Sequence, residues 1–454
     1  MLFILGFSII YLASNYYVYS RISHGLTLSG HASKTLLVVF FLAALSFIPA
    51  ELLNRYSDEA WVRPLLYVST VWLGVNAIAV SVFVILDASR ICIRGRKFRF
   101  YATISALVLI ILSSGYSLYN QARRPVVKEI KIPVPKLPAS LSGFTLVQLS
   151  DLHVDLSKSG GWLEMLVAET CALKPDLVVI TGDLIDADIC RLDDFCGILR
   201  GLKATYGVYA VTGNHEFYTG IPLFMRVAAN SNIKVLRNTN TFIGGAIELA
   251  GIDDAHEAER FEKISPEESL ILAFKKIDLT KPVILLSHQP DVFDLARDMG
   301  VNLQLSGHTH AGQIPPFDLL VQILYEYPFG LYKRGTSYLY TSCGSGFWGP
   351  PMRLFTKSEI VKFILIPATH PSISFLRAPK PGHKTHTHID KFSFFHSMNN
   401  LQVADFAEVM AVNRDGDGQS EKLRTAKKSP GQDLPILEAL LSENSQADTR
   451  TKDC

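Results

Sequence analysis

The amino-acid sequence predicts an α/β domain that follows an all-α region with several membrane spans. Residues 1–120 hold only 13 of the 86 charged residues in this 454-residue chain, and long apolar stretches fill that region. Beyond residue 140, short runs of β-branched and aliphatic residues alternate with helical stretches, which is typical of a sheet with crossover helices. These two patterns exclude an entirely soluble protein and a chain that is disordered throughout.

Four stretches without charge predict four transmembrane helices. A helix needs about 20 apolar residues to cross a hydrocarbon core of about 30 Å, because lipid satisfies no backbone hydrogen bond. The second stretch reaches that length only if the helix continues past Pro49. No basic segment precedes the first stretch, so we expect an uncleaved span rather than a signal peptide. The stretches are residues 1–20, 35–50, 64–86 and 100–122.

Basic residues favour an orientation in which the downstream domain lies on the non-cytosolic side. The short loop 90–99 carries five Lys or Arg residues, and the positive-inside rule places such a loop in the cytosol. Arg21 and Lys34 flank the first loop on the same side. Basic residues just after the fourth stretch, and a chain without any Asn-x-Ser/Thr acceptor, favour the opposite orientation. Both orientations stay open.

Five predicted strands are each followed by polar residues of metal-binding type. The strands are aliphatic runs at 145–149, 177–180, 208–211, 283–286 and 303–305. In such a sheet, functional groups gather outside the carboxyl ends of the strands. The polar residues that follow the runs are Asp151, His153, Asp183, Asn214, His215, His288, His308 and His310.

These residue types are explained if two divalent cations lie at that edge of the sheet. Asp183 has two carboxylate oxygens and is our candidate for the ligand that bridges both cations. The mixture of imidazole, carboxylate and amide donors favours Mn, Fe or Zn over calcium, and the identity of the metal stays open. We assign Asp151, His153 and His310 to one cation, and Asn214, His288 and His308 to the other.

The order of these blocks resembles the calcineurin-like metallophosphoesterase family. Its signature runs Asp-x-His, Gly-Asp, Gly-Asn-His-Asp/Glu, a separate His and Gly-His-x-His, and all five blocks occur in order within residues 143–367. The resemblance implies a four-layer α/β sandwich that hydrolyses phosphoric esters, with phosphodiesters expected and a metal-bound hydroxide as nucleophile. It also implies that His215 lies beside the leaving group, where it acts as an acid or stabilises charge.

We expect four regions along the chain. Residues 126–138 alternate apolar and charged residues with prolines, which predicts an edge strand followed by a linker. Beyond residue 369, Pro, Ser, Lys and His accumulate without apolar periodicity, which predicts a mostly disordered tail. The regions are a four-helix transmembrane region at 1–122, a linker with an edge strand at 123–142, a metallophosphoesterase catalytic domain at 143–368 and the tail at 369–454.

One segment of the tail imitates a calcium-binding loop. Asn413, Asp415 and Asp417 occupy the first, third and fifth positions of an EF-hand loop, and Gly418 follows them. The twelfth position should carry a bidentate Glu, but it is Arg424, which cannot bind calcium. A helix followed by a turn explains the segment equally well, so calcium binding stays open.

The sequence also supports expectations about the residues around the ligands, about the partners and about the cysteines. Glu216, Asp186 and Gln313 are expected to orient the ligand imidazoles. The partners expected are the lipid bilayer and a phosphorylated small molecule or lipid as substrate. A net charge of +2 argues against nucleic acid. Six cysteines without metal-type spacing, including Cys343, are interpreted as packed thiols.

Two other functions stay open at this point. The first is a catalytically silent membrane scaffold or receptor that retains the phosphoesterase fold, although complete ligand positions argue against it. The second is a transporter, but Asp87 is the only acidic residue near the core of a span, and ion paths need more polar residues. Neither serine-hydrolase elbow nor phosphate-binding loop motif occurs.

Overall fold

The computed structural model describes residues 2–56, 59, 61–89, 95–155, 158–186 and 192–368. Half of the basic loop, at 90–94, lies outside the described residues. The same holds for the predicted tail from residue 369 onward, with its EF-hand-like segment.

Four long helices form the N-terminal region. Three of them, α2 to α4, are long and apolar enough among the described residues to cross a membrane. The second helix continues through Pro49, as its length as a span requires. Within the part of the chain that the structure describes, the first helix is not among these three, so its role as a span stays a prediction. The helices are α1 (Leu2–Gly25), α2 (Gly30–Tyr56), α3 (Val62–Ser89) and α4 (Arg96–Ala122).

Polar contacts join α1 to α3. Arg21 forms an ion pair with Asp87 at 2.7 Å, and the Tyr17 hydroxyl donates to the same carboxylate at 2.8 Å. Further along the helices, the Trp72 indole donates to the Asn15 side chain at 2.9 Å. Asp87 is therefore held by partners on the neighbouring helix.

The rest of the described chain folds around two mixed six-stranded sheets. The first has the order β1-β12-β2-β3-β4-β5, and the second has the order β10-β11-β9-β8-β7-β6. The first sheet comprises β1 (Val126–Val134), β2 (Phe144–Leu149), β3 (Leu177–Thr181), β4 (Val208–Val211), β5 (Ile233–Val235) and β12 (Glu359–Pro367). The second comprises β6 (Thr239–Ile243), β7 (Ile247–Gly251), β8 (Val283–Leu286), β9 (Leu303–Ser306), β10 (Gly330–Arg334) and β11 (Ser337–Thr341).

Shorter helices lie between the strands along the chain, and several of them cover the outer faces of the two sheets. Single turns occur at Ala139–Leu141, Ala258–Glu262 and His310–Gly312. The helices are α5 (Gly160–Ala172), α6 (Leu192–Leu199), α7 (Asn214–Thr219), α8 (Ile221–Asn230), α9 (Ala255–Glu257), α10 (Pro266–Ala273), α11 (Phe293–Asp298) and α12 (Phe317–Leu324).

Side-chain alternation along the strands produces four layers. In β2, Val147 and Leu149 pack against α5 and α6, whereas Leu146 faces the other sheet. In the second sheet, Ile284 faces the first sheet and Leu285 packs towards α10 and α11. Helices, sheet, sheet and helices therefore stack in that order, and the predicted α/β class and the five predicted strands are confirmed.

The last membrane helix is fixed directly to the sheet domain. Only residues 123–125 separate the end of α4 from β1, which pairs in parallel with β12 at the edge of the first sheet. The buried Asn120 amide donates to the carbonyls of Arg353 and Thr356, both at 2.8 Å. The edge strand predicted after the spans therefore belongs to the sheet.

We predict that Asn120→Leu destabilises this junction by roughly 2–3 kcal/mol, because two buried carbonyls lose their donor. Unfolding of the full-length protein in detergent, followed by intrinsic fluorescence, measures the loss. Tyr116→Leu is the control, since Tyr116 lies on the same helix and is half exposed. Equal stability of both variants would contradict a structural role for the Asn120 amide.

Candidate functional site

The predicted ligand residues meet at one edge of the two sheets. Strands β2, β3 and β4 are parallel neighbours in the first sheet, and β7, β8 and β9 are parallel neighbours in the second. The Gln148 amide on β2 donates to the Ser306 carbonyl on β9 at 2.9 Å, which joins the two sheets beside this edge. The carboxyl ends of five strands therefore surround one buried space.

Left-handed backbone conformations concentrate at this edge. Such φ values strain a residue with a side chain, and clusters of them mark functional sites. Gly213 and Gly307 add close approaches, since a Cβ at Gly213 would collide with Asp183 and one at Gly307 with Asp151. The five candidate ligands with positive φ are Asp151, His153, Asp183, His308 and His310, with values between 47° and 73°.

The first group of ligands contains Asp151, His153 and His310. The Nε2 atoms of the two imidazoles lie 3.0 Å apart, and His310 Nε2 lies 3.6 Å from Asp151 Oδ1. All three side chains are buried. Their donor atoms converge on one point, as ligands of a single ion do.

The second group contains Asp183, Asn214, His288 and His308. Asn214 Oδ1 lies 3.1 Å from His288 Nε2 and 3.0 Å from His308 Nδ1. The two imidazole nitrogens are 3.2 Å apart. This group brings together the four residues that the sequence assigns to the second cation and to the bridge.

One carboxylate oxygen is shared by the two groups. Asp183 Oδ2 lies 3.1 Å from His288 Nε2 and 3.6 Å from His153 Nε2. Nitrogen lone pairs that face each other at about 3 Å repel unless a proton or a cation lies between them. The donor set therefore fits divalent cations at two adjacent positions, with Asp183 between them.

Hydrogen bonds on the far side of each ring orient the imidazoles. His153 Nδ1 lies 3.0 Å from Asp186 Oδ1, and His288 Nδ1 lies 2.8 Å from the Thr181 carbonyl. His308 Nε2 lies 3.0 Å from the Tyr325 hydroxyl. These partners fix the rings so that the opposite nitrogen faces the buried space.

The Glu216 carboxylate holds the loop that carries Asp183. One oxygen accepts the N–H groups of Asp183 and Gly213, and the other accepts those of Leu184 and Ile185, at distances of 2.6 to 3.2 Å. Glu216 is completely buried. Its role is therefore to position the backbone behind the shared ligand rather than to orient an imidazole.

His215 lies beside the first group. Its Nδ1 is paired with Asp186, and its ring packs edge-on to His153 with centroids 4.6 Å apart. Burial lowers the pKa of His215, but the Asp186 and Asp183 carboxylates outweigh burial and raise the pKa to about 9. Donor atoms of His153, Asp186 and His215 also lie within 4.8 Å of one another, so the geometry allows His215 to be a ligand or an acid.

The electrostatics of the site keep the Asp183 carboxylate charged and two imidazoles neutral. Burial raises the pKa of Asp183, but His288 and His215 outweigh it and hold the pKa well below its usual range. Burial together with His288 lowers the pKa of His308 to about 3. Burial, His153 and Arg353 hold the pKa of His310 well below its usual range. A neutral imidazole next to an ionised carboxylate is the form that binds a cation.

Sequence reasoning missed Arg353, which is completely buried beneath His310. Its guanidinium donates to the carbonyls of His310, Cys343 and Gly346, and to Gln121 Oε1 of α4. No motif marks this arginine, because its partners are remote in sequence.

Two further contacts differ from expectation or were not foreseen. Gln313, expected to orient an imidazole, bonds the Trp348 backbone through both ends of its amide. Trp348 in turn lies beside His215, with ring centroids 6.0 Å apart. An aromatic residue in a loop gives no sequence signal for such a position.

Comparison with known proteins agrees with this geometry. The family model described as calcineurin-like phosphoesterase matches residues 144–312. A Campylobacter jejuni protein described as an uncharacterized metallophosphoesterase is 33% identical over 360 residues, which covers 77% of this chain and 94% of that protein.

Two other relatives match over a shorter part of the chain. A Helicobacter pylori protein with the same description is 38% identical over 251 residues, which covers 55% of this chain and 66% of that protein. A Danio rerio protein described as a transmembrane protein with metallophosphoesterase domain is 36% identical over 278 residues, which covers 59% of this chain and 63% of that protein. Both matches span just under two thirds of the relative.

We predict that Glu216→Gln lowers the free energy of unfolding by roughly 2–4 kcal/mol, because an amide nitrogen would face two of the four buried N–H donors. Metal content, measured by mass spectrometry of the purified full-length protein, should fall as well. Glu268→Gln is the matched control, since Glu268 accepts the Ser265 N–H at an exposed helix start. Full metal content in Glu216→Gln would contradict its role in holding the ligand loop.

Proposed function

The chain belongs to the calcineurin-like phosphoesterase family, and from that premise we propose that it is a membrane-anchored phosphohydrolase that cleaves phosphoric esters, phosphodiesters in particular. The observation that carries the proposal is the shared carboxylate of Asp183 between two groups of buried imidazoles. A scaffold that had lost catalysis would have no need of seven convergent donor residues, five of them at strained backbone positions.

Two divalent cations fit the donors, and Mn, Fe and Zn all suit this mixture of ligands. Such a pair of cations supplies an activated water and neutralises the charge of the phosphate. The first would be held by Asp151, His153, His310 and Asp183, and the second by Asp183, Asn214, His288 and His308.

The chain itself supplies a proton near the leaving oxygen. The Asp186 carboxylate raises the pKa of His215, which favours its protonated form, and holds Nδ1 so that Nε2 can donate the proton. Asp186 also contacts His153, so one carboxylate orients a ligand and the acid together. This arrangement supports general acid catalysis of ester cleavage.

We further propose a multi-pass anchor with the catalytic domain on the non-cytosolic side. The basic residues of loop 90–99 support this side, because they precede α4 and favour the cytosol. With this orientation, the short connection between α4 and β1 supports a position of the domain close to the non-cytosolic surface of the membrane.

We predict that Asp183→Asn abolishes Mn-dependent hydrolysis of bis(nitrophenyl) phosphate by the full-length protein. An amide lacks the charge and the second donor oxygen that a bridging position needs, so metal content should fall too. Asp298→Asn, at an exposed carboxylate, is the control. Unchanged turnover and metal content in Asp183→Asn would refute the two-metal assignment.

We predict that His215→Ala keeps both cations and lowers turnover by roughly 10²–10⁴, the usual scale for a lost general acid. The loss should shrink for an ester whose leaving group is a weak base, because that group departs without a proton. Turnover of good and poor leaving groups, together with metal content, separates the roles. His31→Ala, at an exposed position, is the control. Loss of one cation would instead identify His215 as a ligand.

A further inference from the structure

Helix α12 exposes an apolar surface beside the metal site. Its eight residues include five exposed large hydrophobic side chains, and none of its residues is buried. Exposed apolar patches of this kind mark surfaces that bind a partner. The five side chains, which we call the α12 face, are Phe317, Leu319, Leu320, Ile323 and Leu324, with exposed fractions between 43% and 65%.

The segment that leads into α12 packs against a membrane helix. Ile314 and Met352 form one buried cluster with Ala77 and Ile78 of α3. Ala77 and Ile78 lie well inside the charge-free stretch 64–86. The loops next to α12 therefore contact the apolar span itself and not only its polar flanks.

Close approach and hydrogen bonds hold these loops in place. Gly74 of α3 leaves no room for a Cβ, which would collide with Met352 and Pro350. The Leu354 N–H donates to the Gln313 carbonyl at 3.0 Å, and the Arg353 N–H donates to the Ser117 carbonyl of α4 at 3.1 Å. The α12 face therefore continues an interface that already contains two membrane helices.

The pattern of α12 fits lipid better than a protein groove. At 100° per residue, its apolar positions cover an arc of about 200°, and only Asp318 and Gln322 occupy the remaining side. A groove on a protein partner contacts one narrow stripe of a helix, whereas the apolar part of a bilayer covers a broad arc. Continuity with α3 and α4, which are long and apolar enough to cross a membrane, favours lipid as the partner of this helix.

Both sides of the metal site connect to this surface. Tyr325 follows α12 directly, and its hydroxyl lies 3.0 Å from His308 Nε2. Trp348 is half exposed, lies beside His215 and bonds Gln313 at the start of the loop. Aromatic residues therefore link the α12 face to His308 of the second group and to His215, which lies beside the first group.

We propose that α12 lies in the apolar layer of the same bilayer as α2 to α4, and that the substrate is a membrane lipid whose phosphate ester enters between Tyr325 and Trp348. The substrate part of this inference rests on the proposed phosphohydrolase function. The position of α12 does not depend on that function and has a separate test.

Photocrosslinking tests the position of α12. The full chain in phospholipid nanodiscs carries p-benzoylphenylalanine at Ile323, or at Ile271 as the matched control, which is an exposed isoleucine on α10. The α10 helix is hydrogen-bonded to β6, whereas β10, the strand that follows α12 along the chain, forms the opposite edge of the second sheet. We expect about tenfold more lipid adduct at Ile323 than at Ile271. Equal lipid adducts, or adducts of Ile323 with a second chain, would overturn the proposal.

Turnover of two esters tests the substrate class. Wild-type protein in nanodiscs should hydrolyse hexadecyl nitrophenyl phosphate, and Ile323→Asp should slow this reaction about tenfold or more while Ile271→Asp does not. Soluble bis(nitrophenyl) phosphate should be hydrolysed equally by all three proteins. If the soluble ester is hydrolysed but wild-type protein and Ile323→Asp hydrolyse the lipid ester at the same rate, the lipid-substrate inference is overturned and the proposed function is not. Failure of wild-type protein on both esters, with metal bound, overturns the proposed function and the lipid substrate together.

Discussion

The site depends on the buried carboxylate of Asp183 and on the contacts that this carboxylate makes. It lies between the two groups of imidazoles and accepts a hydrogen bond from the backbone N–H of His215 at 3.0 Å through its other oxygen. Its backbone is left-handed, a conformation that costs about 1–3 kcal/mol and persists only where the surroundings enforce it. The Glu216 carboxylate supplies that enforcement through four N–H groups.

The layered apolar core offsets the cost of this strained and polar edge. Burying ionisable groups is costly unless partners or cations compensate them. Here the strands that deliver the ligands are buried on both faces, since Val178 and Ile180 face helices while Val179 faces the second sheet. The apolar layers fix the strand ends, so the packed core and not attraction among the ligands holds the ligands close together.

The membrane region and the metal site are parts of one packed unit. Arg353 is completely buried and donates both to Gln121 of α4 and to the carbonyl of the ligand His310. Its acceptors are neutral, so burial lowers the pKa of Arg353. The guanidinium offers a rigid planar fork that reaches several carbonyls at once, which a lysine could not do. The end of α4 therefore supports the candidate ligand His310 through Arg353.

The sequence alone determined the strands, the apolar spans and the identity of the candidate ligands. These features are local: apolar runs predict strands and helices by their length and period, and a signature of short blocks places polar residues at strand ends. The edge strand and the helix through Pro49 followed from the same local rules. Only the tertiary structure decided which imidazole nitrogen faces the site, that Glu216 holds backbone, that Gln313 bonds Trp348, and that Arg353 joins α4 to His310. The exposure of the α12 face was decided by the tertiary structure as well, because a short apolar run does not show in the sequence whether its side chains are buried. Such contacts join positions far apart along the chain, and their distances are set by how layers pack, which no local pattern records.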